Sequence, residues 1–93
     1  MEEYSIFSIS YDLTKPNQNY EGLYEGIKSF GTWWHQTGSV WFIRSDKDSS
    51  SIRDYLKQFI DDDDKLFVIK VFRNWAGTGF TQEEYDWLHK NLV

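Results

Sequence analysis

The middle of the chain reads TWWHQTGSVWFIR over residues 32–44. β-Branched and aromatic residues dominate both halves of this stretch, and Thr37-Gly38 interrupts them. Two such runs joined by a two-residue break that contains glycine are typical of a β-hairpin. We therefore predict the second strand at residues 32–36 and the third strand at residues 39–44.

A helix is expected on each side of this hairpin. Between residues 20 and 30 the apolar side chains fall on one helical stripe, and Gly31 stands where a C-terminal cap would lie. After residue 48, three serines offer N-terminal caps. The apolar residues that follow recur at i, i+3, i+4, i+7 and i+8, namely Ile52, Tyr55, Leu56, Phe59 and Ile60. This spacing predicts the second helix.

The outer segments supply two more strands and a last helix. Residues 4–11 and 65–73 have strand composition, and Pro16, Asn17 and Asn19 provide turn chemistry after the first strand. Residues 81–84 read TQEE, which fits a capping box, and Phe80 and Tyr85 are placed to form a hydrophobic staple. The final helix is expected to run to about residue 91.

The order β-α-β-β-α-β with an extra C-terminal helix predicts an α+β fold, a ferredoxin-like domain with a four-stranded antiparallel sheet over residues 1–93. In the fourth strand, the alternate residues Phe67, Ile69 and Val71 are all apolar, so we place them against the two helices. The opposite face of the sheet then needs a cover. We expect the last helix, through Tyr85 and Leu88 together with Leu92, and a second copy of the chain to provide it, which predicts a homodimer.

Charge and composition exclude several classes of protein. Fifteen acidic against ten basic side chains give a net charge of −5, which disfavours nucleic-acid binding driven by a basic surface. There is no cysteine, so disulfides, thiolate metal sites and a cysteine nucleophile are excluded. The chain opens with Met1-Glu2-Glu3 and contains no long apolar run, and we therefore expect a cytoplasmic protein without a membrane span.

Asp12 is the first candidate catalytic residue, because it stands where the first strand gives way to a loop. A carboxylate there can hold Mg²⁺, and a two-fold dimer can add a second Asp12 to the same ion. The alternative is an Asx-turn toward Thr14 with no catalytic role. His35, in the second strand, is a candidate general acid or base, and its alternative is a half-buried, hydrogen-bonded side chain.

Binding residues are expected around Asp12 and on the hairpin. Tyr11 and Lys15 lie on either side of Asp12, while Trp34 and Trp41 belong to the two hairpin strands. Exposed aromatic rings on a sheet can stack bases, but in an acidic chain we interpret the tryptophans as core and interface residues, which leaves room for a protein partner. The acidic run at residues 61–64 lacks the ligand spacing of a calcium loop and is interpreted as a solvated turn.

Several short motifs together resemble the SinR-like group of small bacterial proteins over nearly the whole chain. They are ISYDLTKP at residues 9–16, GTWWH at 31–35, WFI at 41–43, SIRD at 51–54, TGF at 78–80 and WL at 87–88. That group in turn is similar to the ferredoxin-like CRISPR-associated adaptation subunit and to VapD-type toxin ribonucleases. The resemblance implies a homodimer in which the aspartate of Tyr11-Asp12 takes part in metal-dependent cleavage of nucleic acid.

Two functional hypotheses follow. The first is a small dimeric ferredoxin-like interaction module that binds itself or another protein through an aromatic face. The alternative is a metal-dependent endonuclease, acting on RNA or DNA, in which Asp12 binds magnesium.

Overall fold

The computed structural model describes residues 3–15 and 20–92. The elements, in chain order, are β1 (Ser5–Asp12), α1 (Glu21–Lys28), β2 (Trp33–Thr37), β3 (Val40–Ser45), α2 (Ser49–Leu56) with a 3₁₀ turn at Lys57–Phe59, β4 (Lys65–Val71) and α3 (Gln82–Asn91). The fold is therefore α+β, with an open four-stranded antiparallel sheet and three helices, as the sequence predicts. The predicted turn residues Pro16, Asn17 and Asn19 lie outside the described residues.

The four strands lie in the order β2-β3-β1-β4, and every neighbouring pair is antiparallel. β1 and β2 are consequently parallel to each other with β3 between them, and β3 and β4 are parallel with β1 between them. Each of these two connections contains a helix, α1 or α2. The two edges of the sheet are β2 and β4.

One face of the sheet packs against α1 and α2. The buried residues of this helix core are Phe7, Ile9, Tyr20, Leu23, Ile27, Trp41, Ile43, Ile52 and Leu56. α2 begins at an N-cap, Asp48, whose carboxylate accepts a hydrogen bond from the backbone N–H of Ser51 at 2.8 Å. This bond lowers the pKa of Asp48 and satisfies one of the amides left free at the start of a helix.

The other face is partly covered by α3, as predicted. Leu88 and Leu92 are buried with Ile6 and Trp34 in a second cluster, which we call the α3 core. The capping box is confirmed, since the Thr81 hydroxyl accepts from the Glu84 amide at 3.2 Å and the Glu84 carboxylate accepts from the Thr81 amide at 2.8 Å. The staple is also present, with the rings of Phe80 and Tyr85 5.6 Å apart.

The predicted orientation of the fourth strand is wrong. β4 pairs with β1 so that Val68 lies opposite Ile9, which is fully buried in the helix core. Residues directly opposite one another on antiparallel strands share a face, so Val68 and Leu66 face α1 and α2. Phe67 and Ile69 point to the other face and are exposed there, whereas Val71, at the end of the same strand, packs against the α3 core.

The hairpin is confirmed, with its turn one residue later than predicted. β2 includes Thr37, and the turn is formed by Gly38 and Ser39. Gly38 has a φ of +33°, a conformation that suits glycine because it has no Cβ. Within residues 3–15 and 20–92, no helix has both the length and the apolar character needed to cross a bilayer.

Candidate functional site

Asp12 is the last residue of β1 and opens onto a cleft of about 600 Å³. We call it the Asp12 cleft. It is lined by Tyr11, Asp12, Tyr24, Lys28, His35 and Trp41, among others. Both candidate catalytic residues and two of the four candidate binding residues, Tyr11 and Trp41, therefore line one cleft. They come together because the end of β1 lies beside the β2-β3 turn in the antiparallel sheet.

Trp41 is the centre of this cleft. Its side chain is buried, and its indole Nε1–H donates a hydrogen bond to the Tyr11 hydroxyl at 3.0 Å. The His35 ring stacks on the indole with a centroid distance of 3.8 Å and an interplanar angle of 11°. Tyr24, from α1, stacks on the same indole at 6.2 Å. Sequence patterns missed Tyr24, since its position on the helical stripe is equally typical of a core residue.

His35 is half-buried and hydrogen-bonded. This is the arrangement expected as the alternative to a role as general acid or base. Its Nε2 lies 2.7 Å from the carbonyl oxygen of Gly38. A carbonyl oxygen only accepts, so Nε2 carries the proton and donates. In this tautomer, Nδ1 is the nitrogen left to accept a hydrogen bond.

Tyr11 keeps its hydroxyl protonated over a wider pH range than an ordinary tyrosine. Burial raises its pKa, and the donated Trp41 N–H offsets this in part by favouring the phenolate. The Tyr11 hydroxyl is thus a neutral hydrogen-bonding group in the lining of the Asp12 cleft.

Asp12 itself is exposed, and its partner across the β1-β4 ladder is Lys65. Among the residues that the structure describes, no group of three or more His, Asp or Glu side chains is arranged to hold a metal ion. A cation at Asp12 would therefore be held by fewer than three such side chains of one chain, and Mg²⁺ commonly keeps several waters in such a site.

Two of the predicted binding residues lie elsewhere. The Lys15 ammonium is 2.9 Å from the Asp61 carboxylate and 3.7 Å from that of Asp63, and the hydrogen bond to Asp61 raises its pKa. Trp34 is on the opposite face of the sheet, buried under α3, and donates its indole N–H to the carbonyl oxygen of Glu84 at 3.1 Å. Lys15 therefore contacts the acidic loop, and Trp34 belongs to the core.

The acidic run 61–64 is more than a solvated turn, because its last member, Asp64, is buried. The Asp64 carboxylate accepts hydrogen bonds from the Thr14 amide and hydroxyl at 2.8 and 3.0 Å, from the Tyr20 hydroxyl at 3.0 and 3.1 Å and from the Asp61 amide at 2.9 Å. These donors, the Thr14 amide foremost, lower the pKa of Asp64 to about 2. Asp64 thus ties the exit of β1 and the start of α1 to the loop before β4.

A second candidate surface lies on the face that α3 leaves uncovered. Phe67 and Ile69, at the β4 edge of the sheet, are 61% and 47% exposed. Their β1 neighbours on that face are Ser10 and Ser8, whose small side chains cannot shield them. We call Phe67 and Ile69 the β4 strip.

Comparison of the chain with protein-family models, with curated proteins and with solved structures gave no match.

Proposed function

We propose that the chain is a ferredoxin-like interaction module that associates with a second copy of itself through the β4 strip. The ferredoxin-like assignment is supported by the two β-α-β units of the sheet. In each unit a helix joins two parallel strands, and one other strand lies between them. The function is supported above all by one observation, two large apolar side chains exposed side by side on an edge strand. Edge strands present unpaired backbone groups and are the common route to strand addition.

The sequence of β4 is complementary to itself. In an antiparallel pair with Val68 on the two-fold axis, Phe67 lies opposite Ile69 of the second copy, and Ile69 lies opposite Phe67. In the same register Leu66 faces Lys70, and Lys65 faces Val71. Apolar groups therefore meet apolar groups at the centre, and no two like charges are directly opposite. The occupant that fits this edge is a second copy of the chain.

The test is the mass in solution of two matched variants, measured by sedimentation equilibrium. Ile69→Lys places a positive charge opposite Phe67 of the second copy, and dimerisation should weaken at least about tenfold, or about 1.4 kcal/mol. Tyr55→Lys makes the same charge change at an exposed aromatic residue on α2 and should leave dimerisation unchanged. Equal association constants for the wild type and Ile69→Lys would overturn the proposal.

A metal-dependent endonuclease is the second candidate, favoured by the presence of Asp12 and His35 in one cleft and by the resemblance to the CRISPR-associated and VapD-type proteins. In this hypothesis Asp12 would hold Mg²⁺, and the bound ion would supply an activated water for hydrolysis of a phosphodiester. The two proposals are separable. Asp12 is three residues along β1 from Ile9, the partner of Val68, so the β4-paired dimer keeps the two Asp12 carboxylates at least about 20 Å apart.

The endonuclease hypothesis is tested with labelled RNA and DNA oligonucleotides in a magnesium titration followed by amide chemical shifts. It predicts shifts centred on Asp12, cleavage by the wild type, and loss of cleavage in Asp12→Asn with the fold retained. The absence of cleavage by the wild type at millimolar magnesium would overturn it.

A further inference from the structure

A groove of about 470 Å³ lies at the end of the sheet opposite Asp12. It is bordered by the start of β1, the ends of β3 and β4 and the last turn of α3. Four basic residues line it, Arg44, Lys70, Arg73 and Lys90, and no acidic side chain does so among the described residues. We call it the basic groove.

Within residues 3–15 and 20–92, these four cations form no ion pair with a carboxylate. The ion pairs found among the described residues use Lys15, Lys28, Lys47 and Arg53, and none uses a cation of the basic groove. All four side chains are exposed. Like charges placed together repel one another, and a bound anion relieves that repulsion. The partial negative charge at the C-terminal end of α3 also offsets this repulsion, but it acts only on Lys90, which lies in the last turn of that helix.

Two aromatic rings flank the cations. The Arg44 guanidinium lies 4.6 Å from the centroid of the Tyr4 ring, and the Lys70 ammonium lies 5.5 Å from that of Phe72. Both rings are exposed. The buried Ile6 and Leu92 are among the apolar residues that line the groove. The basic groove therefore offers positive charge and flat apolar surfaces side by side.

We propose that the basic groove binds a ligand that contains both a phosphate group and a planar ring, as a nucleotide does. The guanidinium groups of Arg44 and Arg73 match phosphate oxygens in pairs, and the two lysines add charge to hold a diphosphate. The ring of the ligand stacks on Tyr4 or Phe72. A groove of this volume is in the range of small-molecule sites. This inference does not rest on the proposed self-association.

The ligand is compact because the positive charge is confined to the groove. Once its four cations are set aside, the rest of the chain has six basic against fifteen acidic side chains. A long polyanion that leaves the groove meets this acidic surface and is repelled. The phosphate can belong to a free nucleotide or to the phosphorylated end of a single strand, since both present the same groups.

The test is a titration of the full chain with ADP, followed by amide chemical shifts. Shifts should centre on residues 44, 73 and 90, and pyrophosphate should bind at the same place at least about fivefold more weakly, because it has no ring to stack. Arg44→Gln with Lys90→Gln should weaken ADP binding at least about tenfold. The matched control, Arg53→Gln with Lys57→Gln, removes the same charge from α2 and should leave binding unchanged.

Replacing both rings, in Tyr4→Ser with Phe72→Ser, tests the stacking contribution, and it should reduce the preference for ADP over pyrophosphate. Displacement of ADP by a short oligonucleotide with a 5′ phosphate, but not by the same oligonucleotide without it, would identify the strand end as the source. The absence of shifts at the groove, equal weakening by the control pair, or equal binding of the unphosphorylated oligonucleotide would overturn the proposal. Self-association does not confuse this readout, because residues 44 and 90 lie outside β4.

Discussion

Replacing Trp34 with alanine removes the side chain that holds α3 on the sheet. The Trp34 side chain is 5% exposed and lies against Phe42 and Phe80, with ring centroids 5.2 and 5.3 Å away. Its indole N–H also donates to Glu84 in the first turn of α3. Trp34→Ala therefore loses both the packing and the hydrogen bond that join α3 to β2.

The expected cost follows from the buried area. A buried tryptophan removes about 200 Å² from water, which corresponds to about 5 kcal/mol of transfer free energy. Measured Trp→Ala substitutions cost about 3–5 kcal/mol, because the neighbours relax in part. We expect about 4 kcal/mol for Trp34→Ala, out of a total stability of about 5–14 kcal/mol for a domain of this size. The melting temperature should fall by at least about 15 °C.

Trp33→Ala is the matched control, since it removes the same side chain from the adjacent position of β2. Trp33 is 39% exposed and lies on the opposite face of the sheet, beside Trp41. It should cost about 1–2 kcal/mol. Urea denaturation followed by circular dichroism gives both free energies of unfolding. A cost for Trp34→Ala no larger than that for Trp33→Ala would refute the role assigned to Trp34.

Three further predictions concern the loss of stability at low pH, the two faces of β4 and the Asp12 cleft. The pKa of Asp64 is about 2 in the folded chain against 3.8 ordinarily, so its carboxylate stabilises the fold above about pH 4 and this contribution disappears as the pH falls toward 2. Urea midpoints should therefore fall more steeply over that window in the wild type than in the less stable Asp64→Asn, in which Asp48 still contributes, and equal slopes would contradict the role of Asp64. Val68→Asp should destabilise the fold by at least about 3 kcal/mol, because it places a carboxylate against the helix core. Ile69→Asp should cost under about 1 kcal/mol by the same assay. Equal costs would contradict the orientation of β4 described above. Trp41→Phe removes the N–H that favours the Tyr11 phenolate, so the pKa of Tyr11 should rise further in an NMR pH titration, and a fall would contradict the assigned hydrogen bond.

The features that sequence patterns predict well are local ones. The capping box at Thr81 and Glu84 and the staple of Phe80 and Tyr85 depend on residues within one helical turn, so their spacing is sufficient to identify them. The hairpin can also be identified from local sequence, although the position of its turn depends on the positive φ of Gly38. The alternation of apolar residues in β4 was misleading, because burial there depends on the register with β1 and on where α3 lies.

Long-range contacts explain most of what the sequence does not predict about the candidate sites. Asp64 has a neighbouring amide donor in Asp61, but its other donors come from Thr14 and Tyr20, which are 50 and 44 residues away. The cations of the basic groove come from β3, β4, the segment after β4 and α3, and they have no common spacing. The Asp12 cleft was partly predictable, because Tyr11, Asp12 and His35 stand at or near the ends of predicted strands.

An isotope-edited NMR experiment on a mixture of labelled and unlabelled chains tests the proposed self-association most directly. Transfer between the Phe67 ring of one copy and the Ile69 methyl groups of another reports only on contacts between molecules. At about 1 mM protein, where even a millimolar dimer is well populated, we predict this cross-peak, together with an average mass clearly above 11.2 kDa in the same sample. A mass of 11.2 kDa with no intermolecular contact at Phe67 or Ile69 would contradict the account.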